Sequence, residues 1–339
     1  MNAQGYNGKT VFLTGASGML GSHITRELLL RGYKVKAFIE LGAPSPTIDG
    51  LAGLTKCYGS ILNGGVVLRE SKGCDYIIHT AASTNIYPSK CNTVRSINID
   101  GTANIITAAI SNRVTRLIHL GSANSFGYGT LDNPGNENTP YCCNLFGVDY
   151  LDSKRKAHEM VLSAVKNNHL DAVIICPTFM LGRYDSKPGS GALVASVYHQ
   201  SLPGYTTGGK NYVYTADVAV AVCNAIISGR KGEAYITGCE NLNYRDAFEL
   251  IANTIGVKAP SIPIPKYLAT LYGGFNEAMC KVTGKKPKVT YSVARIGNAG
   301  FYYSSQKAID ELNLPQTPIK IAIKDCFEWL KENNLLGRA

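Results

Sequence analysis

Two rhythms of apolar and polar positions alternate along the first half of the chain. Short runs such as Thr10-Val11-Phe12-Leu13-Thr14 and Arg116-Leu117-Ile118-His119-Leu120 have the length and β-branched character of buried parallel strands. Lys34-Val35-Lys36-Ala37-Phe38-Ile39 and Ala172 to Cys176 read as further strands. Between them, Leu20, Ile24 and Leu28 recur at helical spacing, and Gly32 supplies a stop. Gly147 to Val165 predicts another helix, with Val148, Leu151, Ala157, Met160 and Leu162 among polar neighbours. From Thr10 to about Cys176 this alternation predicts an α/β fold with a doubly wound parallel sheet. Beyond Leu181 the pattern turns irregular, with Lys187-Pro188-Gly189-Ser190-Gly191 and Pro203-Gly204 as breaks. Asp217 to Ser228 and Tyr244 to Ile255 then predict helices.

The first strand and first helix are joined by Gly15-Ala16-Ser17-Gly18-Met19-Leu20-Gly21. At a strand-to-helix turn each glycine has a distinct use. Gly15 permits the tight bend, Gly18 lets backbone approach a pyrophosphate, and Gly21 allows close helix packing. The free amides of Ser17, Gly18, Met19 and Leu20 then face phosphates where the helix dipole favours negative charge. This predicts a Rossmann dinucleotide-binding domain over residues 1–180. Residues 181–339 form mainly a smaller C-terminal substrate-binding lobe, with segments near 210–240 returning to the main domain. Glu40 ends the second strand 19 residues after Gly21, close to the ~20-residue offset of a ribose-binding carboxylate. A carboxylate there accepts two hydroxyls and repels a 2′-phosphate, so NAD is the expected cofactor. Lys34 and Lys36 nearby keep NADP open as the alternative.

Tyr150 and Lys154 stand four residues apart on the predicted helix and therefore share a face. A free phenol titrates near 10, too high for a base at neutrality. A neighbouring ammonium and an oxidised nicotinamide ring favour the phenolate, so Tyr150 can exchange a proton with an alcohol or ketone oxygen. Lys154 can also bond the nicotinamide ribose. The same spacing recurs at Tyr303 and Lys307 in a chain with 20 tyrosines. Only Tyr150 follows a strand ending in Gly121-Ser122-Ala123-Asn124-Ser125, and strand carboxyl ends are where such sheets bind ligands. Ser122 is the first candidate to hold the substrate oxygen and Ser125 the second.

With these residues in place the chain resembles the extended short-chain dehydrogenases/reductases over nearly its whole length. The resemblance rests on the glycine turn, His79-Thr80-Ala81-Ala82, Asn98-Ile99-Asp100-Gly101-Thr102, Ser122-Ala123 and Tyr150 to Lys154. It continues through Pro177-Thr178, Asp217-Val218-Ala219 and Gly232-Glu233-Ala234-Tyr235. It implies that Ser122, Tyr150 and Lys154 form a catalytic triad and that Asn98 helps organise the site. It places Ala81 and Ala82 on the adenosine side of the cofactor and Pro177, followed by Thr178, on the nicotinamide side. Many relatives carry an adenine-contacting aspartate after the third strand, where this chain offers Ser60 before Ile61. Sugar dehydratases place an acid pair after the site hydroxyl, where this chain has Ala123-Asn124. Epimerases often use an asparagine and an arginine where this chain has Cys176 and Lys210. The resemblance is therefore closest to the dihydroflavonol reductase and 3β-hydroxysteroid dehydrogenase branch. The expected enzyme is an NAD(P)-dependent dehydrogenase/reductase of secondary alcohols and ketones, with a nucleotide-sugar epimerase holding NAD as the alternative. Relatives also imply a homodimer.

Composition narrows this picture. A chain of 339 residues with 45% hydrophobic content can bury a large core. Ten cysteines without a Cys-x-x-Cys pair fit a reducing cytoplasm, and six scattered histidines offer no metal-ligand pattern, so no metal is expected. Met1 to Gly8 is polar, unlike a signal peptide, and no run reaches ~18 apolar residues, so no membrane span is expected. The net charge of +10 includes a dense cluster at Lys281, Lys285, Lys286 and Lys288. A solvated loop, or a rim attracting an anionic substrate, accounts for it better than nucleic-acid binding. Tyr87, Phe126, Phe179, Tyr184, Tyr272 and Phe275 are candidates for an aromatic pocket suited to an apolar or acyl small-molecule substrate. Cys142-Cys143 are candidate pocket neighbours, though loop packing is the simpler reading.

Overall fold

Strand β1 (Thr10–Thr14) feeds the glycine turn and helix α1 (Met19–Leu30), and β2 (Lys34–Ile39) returns beside it. The computed structural model describes residues 8–283, 287 and 289–337; Lys285, Lys286, Lys288 and the side chain of Lys281 lie outside the described residues. β3 (Leu54–Tyr58), α2 (Gly64–Glu70) and β4 (Tyr76–His79) complete the first nucleotide-type half. A long helix then runs as α3 (Asn92–Arg95), a π-helical turn at Ser96–Asp100 and α4 (Gly101–Ser111). β5 (Arg116–Leu120), α5 (Asp149–Asn168) and β6 (Ala172–Pro177) follow.

The short β7 (Phe179–Leu181), α6 (Gly191–Tyr198) and β8 (Gly209–Tyr214) leave the first sheet, and α7 (Thr215–Ser228) and β9 (Ala234–Thr237) rejoin it. β10 (Glu240–Asn243), α8 (Tyr244–Ile255), α9 (Lys266–Thr283), α10 (Tyr291–Gly297), β11 (Gly300–Phe301), α11 (Gln306–Leu312) and α12 (Ile319–Glu332) complete the chain.

Seven strands form one parallel sheet in the order β3-β2-β1-β4-β5-β6-β9. This is the doubly wound arrangement expected from the alternating pattern, and its order reverses between β1 and β4. Ligands of such sheets bind in the crevice outside the strand carboxyl ends at that reversal. Apolar residues on both faces of the strands explain the sandwich. Val11, Leu13 and Ile78 pack against α1 and α7, while Phe12, Ile77 and Leu117 pack on the other side with α4 and α5. A second sheet, β10-β8-β11 with β7 beside β8, carries a separate core of Leu181, Val194, Tyr212, Phe248 and Ile323 under α6, α8 and α12. Buried Asp217 ties these parts together by accepting hydrogen bonds from the Thr317 amide and hydroxyl, both at 2.9 Å.

Candidate active site

The glycine turn is dictated by sterics. Gly15 has φ +68°, and a Cβ there would stand 2.5 Å from Thr80 Oγ1 and 2.7 Å from the Ala81 nitrogen. At Gly21 a Cβ would lie 2.1 Å from the Gly15 carbonyl oxygen, so only glycine lets α1 sit this close to β1. Gly18 differs. Its Cβ would meet nothing nearer than the Gly15 oxygen at 3.4 Å, so the protein's own packing does not require glycine there. The first turn of α1 has no acidic residue, and Gly18 gives it no side-chain cap. Half-buried Ser17 and Met19 and buried Leu20 thus lie at a helix start whose own first turn supplies no anion, which fits a pyrophosphate. Gly18→Ala is expected to melt within about 1 kcal/mol of the native protein. It should nevertheless weaken NADH binding at least about tenfold in a fluorescence titration. Unchanged affinity removes Gly18 from the phosphate site.

Sequence reasoning missed the brace beneath this turn. The Ser22 hydroxyl donates to Thr47 Oγ1 at 2.8 Å, which donates to the Ser17 carbonyl at 3.2 Å. Arg26 reaches the Thr47 carbonyl at 2.6 Å, and its guanidinium lies 4.2 Å from the Tyr184 ring centre. Nothing in the sequence pattern marks Thr47, because its partners lie 25 and 30 residues away.

Glu40 is exposed at the carboxyl end of β2. Lys36 is drawn aside into an ion pair with Glu70 at 3.0 Å, and Lys34 opens the strand at its far end. Neither lysine is placed to complement a 2′-phosphate at Glu40. Ser60 is half-buried, its hydroxyl accepting from the Leu62 amide at 3.4 Å, whereas Ile61 is buried with its side chain against Gly101. Ala81 and Ala82 follow β4 half-buried, and the Ala81 amide donates to Thr14 Oγ1 at 3.3 Å.

Tyr150, Lys154 and Ser122 converge at the carboxyl end of β5. Buried Lys154 donates from Nζ to the Leu120 carbonyl at 2.5 Å, and burial pushes its ammonium down to about 8. Burial also pushes the Tyr150 phenol above its usual value, an effect tempered by a hydrogen bond from Ser122. The expected lowering by Lys154 is not what sets this group: burial prevails over the Ser122 hydrogen bond. The neutral phenol is therefore the resting form, which suits proton donation. Ser122 Oγ also accepts from the Asn124 amide at 3.2 Å and so is held at the turn. Ser125 is fully buried with no hydrogen-bond partner for its hydroxyl, so of the two serines only Ser122 meets Tyr150.

Asn98 lies in the π-helical turn and spends its amide on structure. It accepts from the Ser83 amide at 2.8 Å and donates to the Ser83 carbonyl at 3.0 Å and to Ser153 Oγ at 2.9 Å. Ser153 in turn donates to the Tyr150 carbonyl at 2.9 Å. Asn98 thus clamps helix α5 to the loop after β4. Asp149, which the sequence reading passed over, anchors the start of α5. It accepts from the Cys91 amide at 2.8 Å and Lys90 at 3.2 Å. Burial opposes its ionisation, but these donors and Arg95 outweigh that and hold its carboxyl below the usual range. An acidic residue in a helix's first turn was the available signal.

Pro177 ends β6, and Thr178 joins the two sheets through Asn211 at 2.8 Å and the Thr237 carbonyl. Lys210 lies 4.2 Å from the centre of the Phe179 ring, with burial pushing it down to about 8. The Cys176 thiol is pushed up to about 12 by burial and is inert as a nucleophile.

The second tyrosine–lysine pair is structural. Buried Tyr303 donates to Asn124 Oδ1 at 3.1 Å, and Lys307 is paired with Glu233 at 2.6 Å. No two of the six candidate pocket aromatics are in ring contact among the described residues. Phe126 is buried beside His158, Tyr184 is held between Arg26 and Trp329, and Tyr272 and Phe275 are exposed. Cys143 packs in the core with Phe126 and Phe146, and all ten cysteines are unpaired.

A family model described as the NAD dependent epimerase/dehydratase family matches residues 11–238. A Synechocystis sp. protein named dihydroflavonol 4-reductase is 26% identical over 327 residues, covering 95% of this chain and 94% of its own. A 3-beta-hydroxysteroid dehydrogenase of Mycolicibacterium neoaurum is 28% identical over 274 residues, or 75% of this chain and 72% of its own. The solved dTDP-glucose 4,6-dehydratase of Streptomyces venezuelae, with NAD bound, shares the fold with a TM-score of 0.77. Its identity is 20%, over 96% of this chain and 98% of that one. The chain belongs to the NAD-dependent epimerase/dehydratase family and is a nicotinamide-dependent oxidoreductase of the extended short-chain dehydrogenase/reductase superfamily.

Proposed function

We propose that this enzyme interconverts a secondary alcohol and a ketone, with Tyr150 as general acid and base. The convergence of Ser122, Tyr150 and Lys154 at the end of β5, in the same sheet crevice as the glycine turn, carries this reading. The turn, with Glu40, Ala81, Ala82, Pro177 and Thr178 around it, would hold the cofactor. Bound NAD supplies the hydride acceptor for alcohol oxidation, and NADH the donor for ketone reduction. The Ser122 hydroxyl orients the substrate oxygen, and Tyr150 gives it a proton in reduction or takes one in oxidation. Lys154 keeps a positive charge beside that exchange at pH values below about 8. Asn98 holds the helix that carries both groups.

A dehydrogenase/reductase is favoured over the epimerase alternative by two positions and over a sugar dehydratase by a third. Cys176 cannot replace an asparagine amide, Lys210 gives a point charge instead of a bidentate fork, and Ala123-Asn124 supplies no acid pair. The names of the two curated relatives point the same way. On this reading residues 181–339 mainly shape the substrate site, and the chain works as a homodimer, which sedimentation velocity would test. Nucleotide released on denaturing the purified enzyme, and its exchange with added NADH, test the reaction class. Freely exchanging NADH supports the dehydrogenase. Tightly held NAD that does not exchange moves the epimerase ahead. Glu40→Arg is expected to shift preference toward NADP about tenfold or more, because a guanidinium accommodates the 2′-phosphate that a carboxylate repels. Unchanged selectivity in kcat/KM for the two cofactors removes Glu40 from the ribose site.

A further inference from the structure

Helix α9 is built inside out. A surface helix ordinarily turns its apolar stripe to the core. Here the docked face is small and polar: a Cβ on Gly273 would stand 2.6 Å from the Thr290 carbonyl and 3.0 Å from the Ala294 side chain of α10. On that same side Asn298 donates to the Lys266 carbonyl and to Thr270 Oγ1, and Glu277 accepts from the Tyr291 amide. The apolar residues Tyr267, Leu268, Leu271, Tyr272, Phe275 and Met279 are all exposed, Leu271 and Phe275 each to 67%. At about 100° per residue they fill one sector of roughly 140°, with Leu271, Phe275 and Leu268 inside it and Tyr267 and Tyr272 at its two margins. Tyrosines at the edges of an apolar stripe suit a boundary between oil and water, where the ring is buried and the hydroxyl stays wet.

Charge adds an independent observation. Residues 258–297 hold seven basic side chains, Lys258, Lys266, Lys281, Lys285, Lys286, Lys288 and Arg295, and one acidic one, Glu277. This net +6 is more than half of the chain's +10. An exposed apolar stripe in a strongly basic segment complements an anionic lipid surface. Among the described residues no helix is long and apolar enough to cross a membrane. A helix with polar groups along one side would lie in the plane of the interface.

We propose that α9 docks the enzyme on an anionic bilayer surface, with Leu268, Leu271, Phe275 and Met279 entering the acyl boundary and the net positive charge of residues 258–297 favouring anionic headgroups. This does not depend on the reading of the catalytic site. The test is flotation of the full chain with vesicles of phosphatidylcholine alone and with about 30% phosphatidylglycerol, a typical anionic content. Binding is expected on the anionic vesicles and should weaken as salt screens the lysines. The paired change Leu271→Glu and Phe275→Glu should lower partitioning at least about tenfold while thermal melting and NADH affinity stay native. A second variant, Lys258→Glu with Lys266→Glu, should weaken binding to anionic vesicles while leaving the stripe intact. No binding to either vesicle overturns the proposal. Binding that the Leu271 and Phe275 changes leave intact also overturns it, since adsorption would then be purely electrostatic. A dimer in sedimentation velocity that those same changes abolish, without vesicle binding, identifies a second copy as the occupant and overturns it too.

Discussion

Replacing Tyr150 by phenylalanine is expected to lower turnover about 10³-fold, within the range that a positioned general acid or base contributes. The change removes one oxygen and leaves the ring to fill the same half-buried space on α5. Loss of the hydroxyl leaves the Ser122 hydroxyl with its Asn124 amide partner, so the turn after β5 should persist. Lys154 keeps its hydrogen bond to the Leu120 carbonyl, which does not involve the phenol. NADH affinity should therefore remain within about threefold of native, because the glycine turn proposed to hold the cofactor phosphates is untouched. A drop in kcat with little change in NADH dissociation constant is the expected signature. Full activity in the Phe variant would falsify the assignment of Tyr150 as the proton carrier.

Lowering the pH from about 6.5 to about 5 is expected to remove several kcal/mol of stability, because the chain buries histidines that it keeps neutral. His79, His119 and His158 lie in the interior behind Lys154, and His23 is enclosed near Tyr184. Burial lowers His79 to about 3 and His23 and His158 to about 4, and lowers His119 well below its usual value. The Lys154 charge adds to the effect on His79, His119 and His158. The sign follows from proton uptake. The unfolded chain binds protons at these rings below about 6.5 and the folded chain does not, so the contribution is intact above 6.5 and shrinks as pH falls toward 4.

At pH 5 each ring would cost about 2 kcal/mol, so four together approach the whole stability of an ordinary domain. Glu137, Asp185 and Asp217, raised by burial, oppose this as they protonate. Urea midpoints at pH 7, 6 and 5 measure the effect, and coincident midpoints would refute it. His119→Leu should remove about one proton from the slope, since neither ring nitrogen of His119 has a hydrogen-bond partner to lose. A variant as acid-sensitive as the native protein would place the titration elsewhere.

Local chemistry explains what could be read from residues in order. The run from Thr10 to Gly21 specifies strand, turn and helix within twelve neighbouring positions, and the structure forms them there. The helices expected at Asp217 to Ser228 and Tyr244 to Ile255 form with boundaries at Thr215–Ser228 and Tyr244–Ile255, because their apolar periodicity is itself local. Spacing of four placed Tyr150 and Lys154 on one face of α5. It could not distinguish them from Tyr303 and Lys307, which the fold commits to Asn124 and Glu233.

The choice between Ser122 and Ser125, three residues apart, depended on which hydroxyl meets Tyr150 across the sheet end. The roles of Asn98, Asp149 and Thr47 depended on partners brought from distant segments. The outward face of α9 was invisible for the same reason: its stripe reads like that of any amphipathic helix until Gly273 and Asn298 show which side is docked. By itself, the sequence determined the strand–helix alternation of the first half, the glycine turn and the candidate proton pair, since each rests on the conformations of a few adjacent residues. Only the tertiary structure decided which polar groups meet, which histidines stay neutral and which helix face remains uncovered, since those depend on contacts between segments far apart in the chain.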